Sequence, residues 1–293
     1  MDRRIRAIAA DAAIQITVVQ TTGMVERARN IHKTLPLATA ALGRTLTITS
    51  IMGSQLKVDD GSVTVQVRGD GPLGTIVCVA DSQGYARGYL QNPAVDLPLR
   101  PDGKLNVGAG VGRGQLVVVK DIGLKEPVSG MVGLVNGEIA EDVTRYFAES
   151  EQIPTVCALG VLVDTDQSVK QAGGYLVQLM PGARDSDIDR LEQNIQKAGA
   201  MTAMLDRGMT LEQIAEAILD GFTVHFLDED EIGYRCNCSE AKVTRALISL
   251  GEGELLQMAD EGKPAEITCQ FCDRVYTFTP ESLRALAQSA KKN

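Results

Sequence analysis

The chain has 293 residues, of which 44% are hydrophobic and 23% are charged, and its formal net charge at pH 7 is -9. This composition excludes a wholly disordered protein, and no apolar run reaches the roughly 18 residues that a membrane-spanning helix needs. The negative charge disfavours binding to nucleic acid, because a phosphate backbone repels an acidic surface.

The length favours two domains at about 150 residues each. Arg3, Arg4 and Arg6 resemble the start of a secretory signal, but Asp11 interrupts the apolar stretch that such a signal requires. We therefore expect a cytoplasmic protein. Six cysteines in such a chain favour metal or redox chemistry over a structural disulfide framework.

The first 180 residues combine strand and helix patterns. Ile14 to Val19 predicts a strand, and apolar residues at helical spacing then predict a helical stretch that Pro36 breaks or kinks. Leu56 to Val58 and Val63 to Val67 flank an Asp-Asp-Gly turn, which predicts a hairpin. The further predicted elements are one helix over Glu138–Ala148 and strands over Thr75–Ala80, Tyr85–Leu90, Leu116–Lys120, Met131–Leu134, Val156–Val163 and Tyr175–Leu179. Because hairpins outnumber helices, the fold class expected for 1–180 is an α+β core with a mostly antiparallel sheet.

Residues 181–232 predict a helical linker. The first helix has Ser186 as its predicted N-cap and presents one apolar face of Ile188, Leu191, Ile195, Ala198 and Met201. In the second helix, Thr210 and Gln213 form a capping box and Gly221 follows as a stop. The apolar face of this second helix comprises Leu211, Ile214, Ala215, Ile218 and Leu219.

The linker also carries most of the negative charge. It holds twelve acidic and four basic residues, a local net charge of -8, whereas 233–293 holds eight of each. Two interpretations stay open: helices with solvated acidic faces, or a mobile segment whose apolar faces need a docking partner. The acidic run from Asp228 to Glu231 predicts a flexible junction.

Four cysteines form two close pairs. Cys236 and Cys238 are separated by one residue, Cys269 and Cys272 by two, and thirty residues (239–268) lie between the pairs. Two such pairs are typical of a closed tetrahedral zinc site. A module of about 60 residues commonly needs such a staple, because it buries too little apolar surface to be stable alone.

The same thiols suggest a redox switch. Cys269 and Cys272 can bridge readily, whereas a bridge between Cys236 and Cys238 closes a very small ring that is easily reduced. An oxidant that converts these cysteines to disulfides removes the metal ligands. We therefore hypothesise a reversible thiol switch in 233–293.

Other candidate motifs are weaker. In the glycine-rich run Gly108–Gly114, Arg113 occupies a position where a dinucleotide-binding fingerprint requires glycine. The Lys-Ser/Thr of a Walker motif does not follow the run, so a flexible loop or a tight strand connection is expected. His32 and His225 lie outside the cysteine pairs, which disfavours a catalytic zinc site. The remaining two cysteines, Cys78 and Cys157, lie in predicted strands and are expected to be core residues.

The cysteine motifs carry a family resemblance. Tyr234–Ser239 and the segment from Ile267 to Phe278 resemble the zinc domain of the heat shock protein 33 family, the redox-regulated chaperones of bacteria. Other segments that resemble family motifs are Gly69–Gly74, Gly88–Tyr89 before Asn92–Pro93, Val119–Gly123, Gly137–Asp142 and Ser150–Gln152.

The resemblance implies a chaperone and not an enzyme. It implies three parts: a core (1–180), a linker (181–232) and a redox-switch zinc domain (233–293). It further implies a reduced, inactive monomer in which one Zn²⁺ is bound by Cys236, Cys238, Cys269 and Cys272. On oxidation, disulfides Cys236–Cys238 and Cys269–Cys272 form, zinc is released, and a homodimer holds unfolded client proteins without ATP.

Two other classes of protein fit the sequence less well. A zinc-ribbon nucleic-acid binder predicts a basic surface, but 233–293 is neutral and the whole chain is acidic. A thiol-disulfide oxidoreductase using Cys269 and Cys272 needs neither zinc nor the Cys236–Cys238 pair. The sequence therefore predicts no nucleic-acid partner, no membrane partner and no catalytic residues.

Overall fold

The computed structural model describes residues 1–290, and the chain divides into two units, Met1–Arg235 and Cys236–Asn293. Strands in all three sheets pair antiparallel. The predicted α+β class with mostly antiparallel sheet is therefore confirmed. Among residues 1–290, no helix is long and apolar enough to cross a membrane.

The first sheet of unit one has the strand order β10-β1-β2-β9-β8. Its strands are β1 (Arg3–Ala9), β2 (Ile14–Gln20), β8 (Thr155–Val163), β9 (Val169–Leu179) and β10 (Val224–Glu231). The central strand β2 is rich in β-branched residues, and both β2 and β9 bury side chains on both faces, as a strand between two layers requires.

The second sheet of unit one has the strand order β5-β4-β3-β6-β7. Its strands are β3 (Ser62–Gly69), β4 (Ile76–Asp81), β5 (Ala86–Leu90), β6 (Gly114–Asp121) and β7 (Val128–Gly133). Buried and half-buried residues alternate along β4, β5 and the first six residues of β3, which places Val63, Val65 and Val67 in the core.

Two helices follow β2. They are α1 (Thr22–His32) and α2 (Pro36–Ser54), and Pro36 begins the second, as its fixed φ and missing N–H favour. Nearly all of α2 is buried, and it contacts strands of both sheets. Its Thr45, Thr47 and Thr49 hydroxyls donate to carbonyls four residues earlier, which satisfies these polar groups inside the core. The predicted break at Pro36 is confirmed.

Between β5 and β8, unit one contains two short helices and a π-helical turn. The helices are α3 (Val107–Val111) and α4 (Ala140–Tyr146), and the π-helical turn is Phe147–Glu151. The expected loop at Gly108–Gly114 is thus wrong in its first half, because the Asn106 side chain caps a helical turn by accepting from the N–H of Ala109. The predicted helix over Glu138–Ala148 is confirmed with shifted ends.

Three helices from the predicted linker cover the other face of the first sheet. They are α5 (Asp185–Ala198), α6 (Met201–Asp206) and α7 (Leu211–Ile218). The Thr210–Gln213 capping box forms in both directions, as predicted. Ser186 is not the N-cap of α5: Arg184 occupies that position, and its guanidinium pairs with Asp187.

Helix α7 buries the apolar face that the sequence predicts for it. Ile214 and Ile218 are fully buried against β1 and β2. Leu191 of α5 and Met204 of α6 belong to the same core cluster, whereas Ile188 is half-buried. The division into 1–180, 181–232 and 233–293, which follows the change in sequence character and charge, stays a prediction.

The expected hairpin over Leu56–Val67 is wrong. Lys57 and Val58 are exposed and lie in a turn directly after α2, while β3 pairs with β4 on one side and β6 on the other. Both edges of β3 are therefore occupied by strands that follow it in the chain, which local alternation cannot reveal.

The expected flexible junction at Asp228–Glu231 is also wrong. These residues form the second half of β10, which pairs with β1 in the register Arg3↔Glu231, Arg4↔Asp230 and Arg6↔Asp228. Ion pairs join the two strands: Arg4 contacts Asp228 at 3.1 Å and also Asp230, and Arg6 pairs with Asp228. The arginines of β1 face the acidic residues of β10, and these opposite charges stabilise the pairing of the two strands.

Arg4 is the most buried of these charges, with 7% of its side chain exposed. Replacing Arg4 with Met leaves Asp228 and Asp230 without this partner. We expect the free energy of local opening of β10 to fall by about 1–2 kcal/mol. Hydrogen exchange of residues 224–231, measured by mass spectrometry, then accelerates by roughly 5- to 30-fold. Arg68→Met, at an exposed position of β3, serves as the control; equal exchange in both variants contradicts the prediction.

Candidate metal centre

The four predicted ligand cysteines come together in unit two. The sulfur atoms of Cys236, Cys238, Cys269 and Cys272 all lie within 4.8 Å of one another, and all four residues are half-buried. The Sγ atoms of Cys236 and Cys269 are 3.8 Å apart, and those of Cys238 and Cys272 are 3.4 Å apart. Two segments separated by thirty residues in sequence thus form one cluster.

A short hairpin positions the second pair. Strands β11 (Ala265–Thr268) and β12 (Val275–Phe278) are antiparallel, and Cys269 begins the turn that joins them. The Cys269 N–H donates to the Arg274 carbonyl at 2.9 Å, and the Cys272 N–H donates to the Cys269 carbonyl at 3.3 Å. Asp273 adopts a positive φ of 55°, which lets the chain reverse and places both sulfurs on one side of the turn.

The first pair lies just before a helix. Cys236 and Cys238 are in an irregular segment that ends at α8 (Glu240–Ile248). The Ser239 side chain caps this helix by accepting from the N–H of Lys242 at 3.3 Å. The cap fixes the point where the helix begins, directly after Cys238.

The spacing of the sulfurs fits a tetrahedral ion. With Zn–S bonds of about 2.3 Å, tetrahedral geometry places ligand sulfurs about 3.8 Å apart. The measured separations of 3.8 and 3.4 Å lie at and slightly below that value. The four sulfurs are therefore close enough together to hold one metal ion.

The thiols perturb one another. Burial, with hydrogen bonds from neighbouring sulfurs, raises the pKa of Cys236 to about 12. Burial also acts to raise the pKa of Cys238, but the Tyr276 hydrogen bond and the adjacent thiols outweigh it and lower that pKa to about 7. Four thiols at this distance cannot all ionise unless a cation compensates their charge, so the cluster as a whole favours a bound metal ion.

The core of unit two is small. Helices α9 (Glu252–Asp260) and α10 (Pro280–Ala290) pack on each other and on α8. The buried hydrophobic cluster of the unit comprises Leu247, Leu255, Ala259, Phe278, Leu283 and Ala287. Two of these six are alanines, so little apolar surface opposes the entropy of unfolding, and a metal ion bound by the four cysteines would contribute a large share of the stability.

Residues outside the cluster behave as the sequence indicates. Cys78 on β4 is fully buried, and burial raises the pKa of its thiol well above the ordinary value. Cys157 on β8 is half-buried and packs against the core of unit one. His32 lies in α1 with its Nε2 atom 3.5 Å from the Tyr234 hydroxyl, and His225 lies in β10. All four residues belong to unit one, away from the cluster in the sequence.

The sequence patterns did not indicate one residue of the site, Tyr276. The Tyr276 hydroxyl lies 3.1 Å from the Cys238 sulfur, and the Arg274 guanidinium interacts with that hydroxyl. The available sequence signal is that Tyr276 lies two residues before the buried Phe278 on a four-residue strand, so both side chains are on the same face. A strand pattern does not show which distant sulfur the tyrosine hydroxyl contacts.

Comparisons with known proteins agree with this geometry. The family model described as Hsp33 protein matches residues 2–279. The 33 kDa chaperonin of Agathobacter rectalis is 47% identical over 285 residues, covering 97% of this chain and 99% of that protein. The 33 kDa chaperonin of Clostridioides difficile is 47% identical over 283 residues, covering 96% and 97%.

A solved structure extends the agreement to three dimensions. The crystal structure of the 33 kDa chaperonin (heat shock protein 33 homolog) from Thermotoga maritima superposes with a TM-score of 0.90 at 35% sequence identity, and it covers 99% of both chains. Sequence, fold and cysteine cluster together show that the chain belongs to the Hsp33 family of chaperones.

Proposed function

We propose that this chaperone is a redox-regulated holdase, inactive when reduced and zinc-bound and active when oxidised. The observation that carries the proposal is the four-sulfur cluster in a unit with a small hydrophobic core. In such a unit, the state of the sulfurs decides whether the chain is folded.

In the reduced state, Cys236, Cys238, Cys269 and Cys272 bind one Zn²⁺ as thiolates. A bound zinc ion supplies on the order of 10 kcal/mol of apparent folding free energy to a small domain. Four thiolates close the coordination sphere, so the site is structural and leaves no open position for substrate catalysis. The chain is on this proposal not an enzyme.

Oxidation removes the ligands. Two equivalents of peroxide accept four electrons from the four thiolates, and with four protons they yield two disulfides and four water molecules. We assign the disulfides as Cys236–Cys238 and Cys269–Cys272, each between the two members of a sequence pair. A sulfur in a disulfide no longer carries the negative charge that binds the metal, so zinc is released.

Loss of zinc then unfolds unit two, and the linker (181–232) leaves the first sheet. The apolar faces of α5 and α7, which include Leu191, Ile195, Ile214 and Ile218, become exposed to solvent. Large apolar patches of this kind bind the exposed hydrophobic segments of unfolded client proteins. We propose that the oxidised chain acts as a homodimer and needs no ATP.

The charge distribution supports this choice of partner. The -8 net charge of the linker keeps an opened, apolar surface soluble and repels nucleic acid. A switch that depends on reduced thiols in the resting state requires a reducing compartment, so we assign the protein to the cytoplasm. No membrane partner is proposed.

The deciding experiment measures zinc content and client aggregation on the same sample. Before treatment we expect about one zinc per chain and no suppression of light scattering by a heat-unfolded client. After peroxide at raised temperature we expect zinc release, two disulfides by mass spectrometry and suppressed scattering. Zinc that stays bound, or scattering unaffected by full oxidation, refutes the proposal.

A further inference from the structure

One edge of the first sheet is open. Strand β8 ends the strand order β10-β1-β2-β9-β8, and no strand within residues 1–290 pairs with its outer edge. Natural sheets usually protect such edges with charges, prolines or bulges, and β10 at the opposite edge ends in four acidic residues. Apart from a register shift after Leu162, β8 has none of these features in its nine residues. Its outer edge is therefore able to pair with a further strand.

The pairing register shows which backbone groups of β8 face outward. The Leu179 N–H donates to the Pro154 carbonyl at 3.0 Å, and the same register continues along β8 as far as Leu162. In an antiparallel pair, residues that exchange hydrogen bonds alternate with residues that do not. The positions whose N–H and C=O groups point away from β9 therefore include Cys157, Leu159 and Val161.

A cleft of about 520 Å³ follows this edge, and all six residues from Leu159 to Asp164 line it. Successive side chains of a strand point to opposite faces of the sheet, so consecutive residues line one cleft only where it runs along the edge. Arg44 and Leu99 lie on the side of the cleft formed by the core. Ala200 and Thr202, at the start of α6, lie on the side formed by the linker helices.

The cleft fits a single extended polypeptide segment. Outward N–H and C=O groups at the spacing of a strand bind another backbone in the same conformation, about 4.8 Å away. Leu99 is 59% exposed and provides apolar surface for the side chains of such a segment. A second copy of β8 carries its own covering layers on both faces, and these layers collide with the walls of the cleft. A lone strand from an unfolded chain has no such layers.

We propose that the open edge of β8 binds an extended apolar segment of a client protein and adds it to the first sheet as a further strand; this inference rests on the proposed function. The hydrogen bonds involve backbone groups that every polypeptide has, so they recognise the unfolded state and no particular sequence. β-branched residues in the segment favour binding, because they fit the pleated surface between the two walls.

Helix α6 controls access to the edge. A Cβ atom added at Gly160 would lie 2.6 Å from the Thr202 Cγ2 atom, so α6 packs directly on β8. The side chains of an added strand alternate between the two faces of the sheet, and those on this face meet Ala200 and Thr202. Release of the linker removes this obstacle, so client binding at β8 follows the proposed oxidation.

Val161→Pro tests the inference in the full-length chain after oxidation by peroxide at raised temperature. The probe is a fluorescein-labelled peptide of alternating valine and threonine with a glutamate at each end, and its binding is followed by fluorescence anisotropy. The substitution removes an outward N–H and places the proline ring against the incoming backbone, while the bonds to β9 remain. We expect the Kd of the peptide to rise about tenfold or more. The reduced, zinc-loaded chain should also bind the peptide about tenfold more weakly than the oxidised chain.

Val161→Ala is the matched comparison, because it shortens the same side chain and keeps the N–H; its effect on the Kd should be much smaller than that of Val161→Pro. Equal effects of the two substitutions, or no effect of either, overturn the inference. If Val161→Pro does not fold, the peptide methylated on successive backbone nitrogens decides, and binding as tight as that of the unmethylated peptide overturns the inference.

Three further outcomes separate this inference from its alternatives. Equal binding of the peptide to the reduced and oxidised chains overturns the control by α6. If Val161→Pro converts an oxidised dimer to a monomer in sedimentation, the edge belongs to a second copy and the inference is overturned. Suppression of client aggregation without peptide binding overturns the inference and leaves the proposed function intact, whereas an oxidised chain that does not suppress aggregation overturns both.

Discussion

Replacing Cys269 with serine is expected to unfold residues 236–290 in the reduced protein while unit one stays folded. The serine hydroxyl is not ionised at neutral pH and does not replace a thiolate, so the tetrahedral site loses a ligand. The hydrophobic core that remains includes only Leu255, Leu283 and four smaller or less buried neighbours. Apparent zinc binding of about 10 kcal/mol exceeds what such a core supplies, so its loss is decisive.

Zinc content and hydrogen exchange check this expectation. After dialysis we expect less than about 0.1 zinc per chain, with exchange of α9 and α10 approaching the unfolded rate and that of β2 and β9 unchanged. Cys157→Ser is the control, because Cys157 lies on β8 in the other unit. If the α9 amides of the zinc-free Cys269→Ser variant are still protected from hydrogen exchange, the bound metal is not what stabilises this unit.

Replacing Ile214 and Ile218 together with serine is expected to release α7 from the first sheet even in the reduced protein. Both side chains are fully buried in one core cluster. Each truncation costs about 2–5 kcal/mol through lost burial and the cavity left behind, and a buried hydroxyl adds to that cost. The sum approaches the whole stability of a domain, so the helix no longer stays docked.

The expected effect of this double substitution differs between the two redox states. In the reduced state we expect rapid hydrogen exchange in 211–218 and new binding of a hydrophobic dye. In the oxidised state we expect weaker suppression of client aggregation, because two apolar contact residues are gone. Glu216→Gln, at an exposed position of the same helix, should change neither. Oxidised double-variant protein that suppresses light scattering as well as the unsubstituted chain argues against α7 as a client contact.

Local patterns predicted the parts of the molecule that local interactions determine. The Thr210–Gln213 capping box, the break at Pro36 and the two cysteine pairs each depend on residues within four positions of one another. Such features are decided by backbone hydrogen bonding and ligand chemistry. For this reason each cysteine pair could be anticipated from its spacing alone.

Long-range pairings could not be anticipated in this way. Asp228 and Asp230 have the composition of a solvated run, and only the arginines more than two hundred residues earlier make that segment a strand. Similarly, the alternation in Val63–Val67 indicates a strand but not that β6, fifty residues later, is one of its neighbours. The Tyr276 contact has the same cause, since its partner Cys238 lies 38 positions away.

The pairing of β1 with β10 has a consequence for the order of events during synthesis. β1 is translated first, but its outer neighbour consists of residues 224–231, the last strand of unit one. Throughout most of translation the growing chain therefore presents an open strand edge bearing three arginines, which is a site where nascent chains can aggregate. The acidic strand precedes the first two cysteines in the chain, so this edge can close before the four cysteines are all available to bind a metal ion.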